Sequence, residues 1–250
     1  VQLLVLANNP WWRPEQGLCA ECAEAFTEAA AEVRTLFPSL AQGHAPILPT
    51  SVRLRASDPY RGRGMTIAFL DSGFFAHPDL VEPRDRIVKY VDVTRKGAKR
   101  SDLDRPDESS WHGMMTSVVA CGSGRLSGGI YEGLASEARV VLVKCGTARR
   151  IRHDDIRRGL LWVIRNRKRY GIRIVNVSCG GDYEASYLKD RLSQVADAAT
   201  REGLLVCAAA GNLGHRPNHP VIPPASAPSV LTVGGVDDKN RLHAAGWDMY

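Results

Sequence analysis

From residue 65 onward the chain alternates short apolar runs of β type with helical stretches, and that alternation confines it to one fold class. The runs are MTIAFL at 65–70, IVKYVDV at 87–93, ARVVLVKC at 138–145, IRIVNVS at 172–178, LLVCAAA at 204–210 and VLTVGGV at 230–236. Between them the pattern predicts helices over Trp111–Cys121, Asp154–Tyr170 and about Ser186–Glu202. Strands that are apolar throughout are buried on both faces, and helices between successive strands supply the crossovers that parallel pairing requires. The expectation is an α/β fold with a doubly wound parallel sheet.

The first fifty residues follow a different rule. LCAECAEAFTEAAAEVRTL, at 18–36, is rich in Ala and Glu, and sets Cys22, Phe26, Ala30 and Val33 at helical spacing. Pro38 ends that helix, and the Pro-, Gly- and Arg-containing stretch at 42–64 reads as a connecting arm. A boundary near Thr50 therefore separates a helical extension, residues 1–50, from the main body, residues 51–250.

With 44% hydrophobic and 24% charged residues in 250, the chain can bury a core without disulfide or metal staples, which excludes disordered and fibrous classes. Net charge is only +6, too modest to imply nucleic acid. No run approaches the roughly 18 apolar residues of a membrane span. Four of the six cysteines, Cys121, Cys145, Cys179 and Cys207, sit in apolar runs as small hydrophobes. Without a visible signal-peptide pattern, this leans towards a reducing, cytoplasmic compartment.

In doubly wound sheets the site lies beyond the carboxyl ends of the strands. Polar residues there are Asp71 after MTIAFL, Asn176 and Ser178 in IRIVNVS, and Asn212 just past LLVCAAA, each with a glycine nearby. Asp71 reads either as a turn residue or as a carboxylate that orients an imidazole. His112 opens HGMMTSVVACG, where Ser109 or Ser110 would cap a helix holding the imidazole in its first turn. Asn212 is either a residue accepting a left-handed turn or an amide donor for an oxyanion.

Taken together, DSGFFAHPDL, WHGMMTSVVA, IVNVSCGG, VCAAAGN and PPASAPSVLTVGGVD resemble, in family order, the motifs of the subtilisin-like serine proteases over about residues 63–240. The resemblance implies a subtilisin-like fold and makes Asp71 the carboxylate that fixes the tautomer of His112, His112 the general base, and Asn212 the oxyanion donor. It further implies that Ser178, Cys179 and Gly180 pair with an extended substrate and that Ala209, Ala210 and Gly211 wall the pocket before the scissile bond. A serine endopeptidase acting on polypeptides as a monomer, with no cofactor and no metal, is the function so implied.

Departures from the family pattern qualify this. No Gly-Thr-Ser, the family's nucleophile segment, occurs in the 250 residues. The expectation is a catalytic domain truncated before the serine and inactive in this form. A peptide-holding relative that never cuts is the alternative, and nucleic-acid binding through Arg149, Arg150, Arg152, Arg157, Arg158, Arg165, Arg167, Lys168, Arg169 and Arg173 is a third. These residues read more simply as a solvated helix face, although Arg149 or Arg150 would favour acidic substrate side chains. Met114 and Met115 after Gly113 remove a polar contact near the imidazole, and Cys179 adds a thiol that would make activity sensitive to thiol reagents. Cys19 and Cys22 have the spacing of half a zinc site or of a redox pair. The loop GSGRLSGGIYEG, where many relatives hold structural calcium, has few oxygen side chains. The Pro223–Pro224 bond suits a cis isomer.

Overall fold

The computed structural model describes residues 13–36, 49–54, 59–147, 149–180, 185–216, 220–237 and 248–249, with single positions at 5, 47, 56 and 183. Pro38 and much of the arm at 42–58 lie outside the described residues. Contacts group into one unit of residues 1–58 with 237–248 and a second of residues 59–236 with 249–250. In the first, α1 spans Ala20–Leu36 and buries Ala30, with Phe26 half-buried and Cys22 exposed. It starts two residues later than its periodicity suggests, because the Cys22 N–H donates to Cys19 Sγ at 3.4 Å, so Cys19 ends the turn that leads in. That hydrogen bond is the main reason the Cys19 thiol lies below its usual range. Val33, the last of the spaced positions, has no described side chain.

The second unit is built on six parallel strands. In chain order, β1 is Thr66–Asp71, α2 Pro78–Val81, β2 Ile87–Asp92, α3 Ser110–Cys121, β3 Arg139–Lys144, a small hairpin of β4 Gly146–Thr147 and β5 Arg150–Ile151, α4 His153–Tyr170, β6 Ile172–Val177, α5 Arg191–Arg201, β7 Leu205–Ala209 and β8 Leu231–Val233. The sheet order is β2-β3-β1-β6-β7-β8. Every pairing in it is parallel. All six residues of β1 are buried, so it is the fully covered centre that its unbroken apolar run requires.

Helices cover both faces. Ala68 and Leu70 of β1 join a core with Ile156, Leu160 and Val163 of α4 and Leu192 and Ala196 of α5. The alternate residues Ile67 and Phe69 join a second core with Leu80 and Cys121. The period of two along one strand thus feeds two hydrophobic layers. After β1 the chain builds β2 and β3 on one side of it, then crosses to β6, β7 and β8 on the other. The carboxyl end of β1 therefore sits at the reversal of strand order, where open α/β sheets leave a crevice.

Two elements here depart from the sequence reading. Helix α5 starts at Arg191 rather than near Ser186, because Asp190 caps it by accepting the Ser193 N–H at 2.6 Å. Strand β8 is exposed along its length, with Leu231 and Val233 open to solvent; among the described residues it is an edge strand paired only to β7. The basic run, by contrast, is a salt-bridged surface. Arg157 pairs with Asp154 at 2.6 Å, Arg158 with Asp155 and Arg167 with Glu202.

Candidate active site

The register brings the strand tips level. Leu70 of β1 lies beside Val177 of β6, and Val177 lies beside Ala208 of β7. Asp71, Ser178 and Ala209 therefore form the next row at the carboxyl edge, with Cys179, Gly180, Ala210, Gly211 and Asn212 following from the same two strands.

Asp71 is 1% exposed and accepts the Ser72 N–H at 2.7 Å. His112, in the first turn of α3, places Nδ1 2.9 Å from each Asp71 carboxylate oxygen. The contact needs α3 and the loop after β1 to touch closely, which two facing glycines allow. A Cβ on Gly113 would run into the carbonyl oxygen of Gly73 and stand 2.9 Å from Asp71 Cβ; one on Gly73 would lie 2.7 Å from the carbonyl oxygen of Ser109. The carboxyl of Asp71 is raised above its ordinary range, foremost by burial, while the His112 charge and hydrogen bond and the Ser72 amide pull it back.

The start of α3 is held differently from the expected serine cap. Ser109 occupies the N-cap position, yet its side chain caps nothing in the helix. Its hydroxyl donates to Asp107 Oδ1 at 2.5 Å and accepts from Lys144 Nζ at the end of β3. Asp107 also accepts the Ser109 N–H at 2.8 Å. A carboxylate is the stronger acceptor, so the Ser109 hydroxyl is drawn back onto Asp107 instead of capping the helix. The Ser72 hydroxyl donates to the Ser109 carbonyl at 2.9 Å, joining the β1 loop directly to the helix that carries the imidazole. Trp111 meets the imidazole edge-on, with ring centroids 5.3 Å apart. Despite Met114 and Met115, a polar contact survives one turn on, where the Thr116 hydroxyl donates to Asp71 Oδ2 at 3.4 Å. Asp107 and Lys144 lie outside the motif segments, Ser72 and Thr116 lie within them without an assigned role, and only the fold brings the four together.

On the substrate side, Gly180 has no room for a side chain, since a Cβ would stand 2.9 Å from the Pro223 carbonyl oxygen. Gly211 has φ of +115°, a conformation glycine adopts freely, and it faces the same Ile222 that Gly180 faces. The Pro223–Pro224 bond is cis, the isomer the sequence suggested. Asn176 Nδ2 donates to the Ser178 hydroxyl at 2.6 Å. Asn212 is exposed, three residues past the end of β7.

Cys179 runs against the expected thiol sensitivity. Its thiol donates to the Leu70 carbonyl at 3.5 Å, and burial, reinforced by the Asp71 charge, pushes it far above the usual thiol range. The reactive thiolate is thereby suppressed. At pH 7, N-ethylmaleimide is expected to modify the exposed Cys19 and Cys22 rapidly and to leave Cys179 unlabelled over the same interval, as read by peptide mass mapping. Labelling of the half-buried Cys179 at the rate of Cys19 would show that its thiol is not held back from ionising.

The family profile of Peptidase S8, the subtilase family, matches residues 62–247. Serine protease AprX of Bacillus subtilis (strain 168) is 31% identical over 199 residues, covering 75% of this chain and 41% of AprX. Subtilisin of Bacillus pumilus is 29% identical over 191 residues, covering 74% of this chain and 61% of the relative. Among solved structures, a mutant of the protease domain of PatA aligns with TM-score 0.54 at 28% identity over 73% of this chain and 62% of that one. Sphericase shares the fold with TM-score 0.54 at 24% identity over 76% of this chain and 58% of its own. The chain thus spans less than two thirds of the length of these relatives.

Proposed function

The chain belongs to the subtilase family, and from that membership we propose that it supplies the Asp–His part of a serine endopeptidase whose nucleophile comes from sequence outside these 250 residues. The observation that carries the proposal is His112 Nδ1 at 2.9 Å from both oxygens of a buried Asp71. A carboxylate on Nδ1 holds the proton there, which leaves Nε2 as the unprotonated nitrogen. His112 then takes the proton of a serine hydroxyl as it attacks the peptide carbonyl, and returns it to the leaving amine. Asp71 stabilises the imidazolium that exists in between. The amide of Asn212 donates to the oxyanion of the tetrahedral intermediate.

Substrate lies as an extended polypeptide along Ser178, Cys179 and Gly180, with the side chain before the scissile bond against Ala209, Ala210 and Gly211. Support comes from Gly180 and Gly211, both of which would lose close packing on Ile222 if they bore side chains. An acidic preference at Arg149 is not part of the proposal. Arg149 lines a cavity of about 470 Å³ together with Asp92, Asp107 and Glu108, whose negative charges offset the positive field it would present to a substrate.

No cofactor enters this reading, and the residues at the loop 122–133 do not fit a calcium ion. The adjacent carboxylate, Asp79, spends Oδ1 on the Leu126 N–H at 3.0 Å, its carbonyl accepts from Arg86, and Arg125 pairs with Glu82 at 2.5 Å. Calcium needs six or more free oxygens, and here they face N–H groups and guanidinium cations.

A fluorophosphonate probe tests the assignment of the missing nucleophile. The 250-residue chain, having no Gly-Thr-Ser, is expected to give no covalent adduct, while a longer product carrying that segment labels at its serine. Stoichiometric labelling of the 250-residue chain would place the nucleophile within it and refute the proposal.

A further inference from the structure

At the opposite end of the sheet from Asp71, the residues leading into β1, β2 and β3 enclose a cavity of about 820 Å³. Its lining includes Arg63, Arg84, Arg86, Ser136 and Arg139. Six residues of β1 at about 3.3 Å each separate it from the catalytic edge by about 20 Å.

The charges around it do not cancel. Each carboxylate of the lining is already matched to a cation: Glu137 to Arg63 at 2.6 Å, Glu82 to Arg125 outside the cavity at 2.5 Å, and Asp85 to Arg100 outside the cavity at 2.9 Å. Arg84 and Arg139 have neither an ion pair nor a side-chain hydrogen bond among the described residues. Arg86 is buried, and its guanidinium donates only to carbonyls, of Ala138 at 3.0 Å and of Asp79 at 2.5 Å. Its charge therefore has no ion-pair partner in direct contact among the described residues, Asp79 and Glu132 acting on it only at longer range, an arrangement that is costly to bury.

A second observation points the same way. Ser136 is 6% exposed, lines the cavity, and its hydroxyl has no hydrogen-bond partner among the described residues. Buried hydroxyls are ordinarily satisfied, so one left without a partner on the wall of a cationic cavity is open, by rotation about χ1, to a ligand that enters it. Guanidinium groups match the oxygen geometry of phosphate in pairs, and a hydroxyl adds a third donor. The volume falls in the range of small-molecule sites.

We propose that this cavity binds a phosphate-type oxyanion, held by Arg84 and Arg139 with the Ser136 hydroxyl donating to it and the buried charge of Arg86 behind it. The site is remote from Asp71 and His112 and independent of whether the chain cleaves peptides.

Isothermal titration of the 250-residue chain in chloride buffer of physiological ionic strength, with inorganic phosphate, pyrophosphate and tripolyphosphate as probes, tests this. Saturable one-site binding is expected, weakened at least tenfold in Arg84→Ala and in Arg139→Ala and severalfold in Ser136→Ala. Arg84 and Arg139 are exposed, so the thermal midpoints of their variants without ligand should match that of the parent. Equal affinity for all three probes would identify free phosphate as the ligand; a tenfold gain with chain length would identify the phosphoryl groups of a larger molecule. Absence of saturation for every probe overturns the proposal. So does an equal loss in Arg201→Ala, a surface change in another element, since that would reduce the effect to unspecific charge attraction.

Discussion

Replacing Asp71 by Asn is expected to lower kcat of the complete protease by about 10⁴ while leaving its thermal midpoint at pH 7 undiminished. The two halves of this result have one origin. His112 Nδ1 lies 2.9 Å from both carboxylate oxygens, so in the parent the Nδ1–H is the favoured tautomer. An amide in the same place offers one acceptor and one donor. The donor favours the opposite tautomer, which puts the proton on Nε2 and removes the base. Stability follows from the raised carboxyl value of Asp71, whose chief cause is burial. A group raised on folding contributes stability that is fully present below its unfolded value of about 3.9 and is lost as pH climbs through the folded value. At pH 7 the ionised side chain is therefore a net cost to folding, and the neutral amide removes it. Steady-state kinetics and calorimetry on the same variant check both halves. Activity within tenfold of the parent would remove Asp71 from the mechanism. A midpoint several degrees lower would make the carboxylate a structural acceptor instead.

The link between Asp71 and His112 was legible only through the resemblance of DSGFFAHPDL and WHGMMTSVVA to the family's motifs. The apolar strand by itself placed Asp71 at the carboxyl edge and left it either a turn residue or a carboxylate. The supports around the pair were not legible. Lys144 to Ser109 and Ser72 to Ser109 join segments about 35 residues apart. They exist only because the loop before α3 folds back over the end of β3, and loop geometry has no period to read. The expected hydroxyl cap failed for a related reason. Asp107, two residues earlier, offers a carboxylate that takes the Ser109 hydroxyl away from the helix, and foreseeing that needs the turn itself. Cys179 looked reactive from its place in the motif, and burial beside the Asp71 charge raises its thiol instead. The cavity at the far end draws on three connections, before β1, β2 and β3, and each alone is an ordinary basic loop.

Gly113→Ala is expected to be the most damaging single change that leaves every reactive group in place. By helix propensity the exchange should help, since Ala is favoured over Gly inside a helix by about 1 kcal/mol. The added methyl, however, would meet the Gly73 carbonyl oxygen, with Phe74 Cε1 at 2.8 Å and Asp71 Cβ at 2.9 Å. The carbonyl and Asp71 are fixed by backbone and by buried hydrogen bonds, so neither can swing aside as a flexible side chain would. Helix α3 has to move out from β1. Overpacking of this kind costs about 3 kcal/mol at the upper end of its usual range, which outweighs the propensity gain and leaves a net loss of about 2 kcal/mol. For a domain of this size that is a fall of about 4–8 °C in Tm. The same displacement parts His112 from Asp71, and a shift of about 1 Å at a catalytic group costs about 10² in rate. Gly235→Ala is the control, because a Cβ there meets nothing within 4 Å and φ is not positive. It is expected to change neither Tm nor kcat. If Gly113→Ala matched it in both, the close approach of the two glycines would not be what holds the imidazole against the carboxylate.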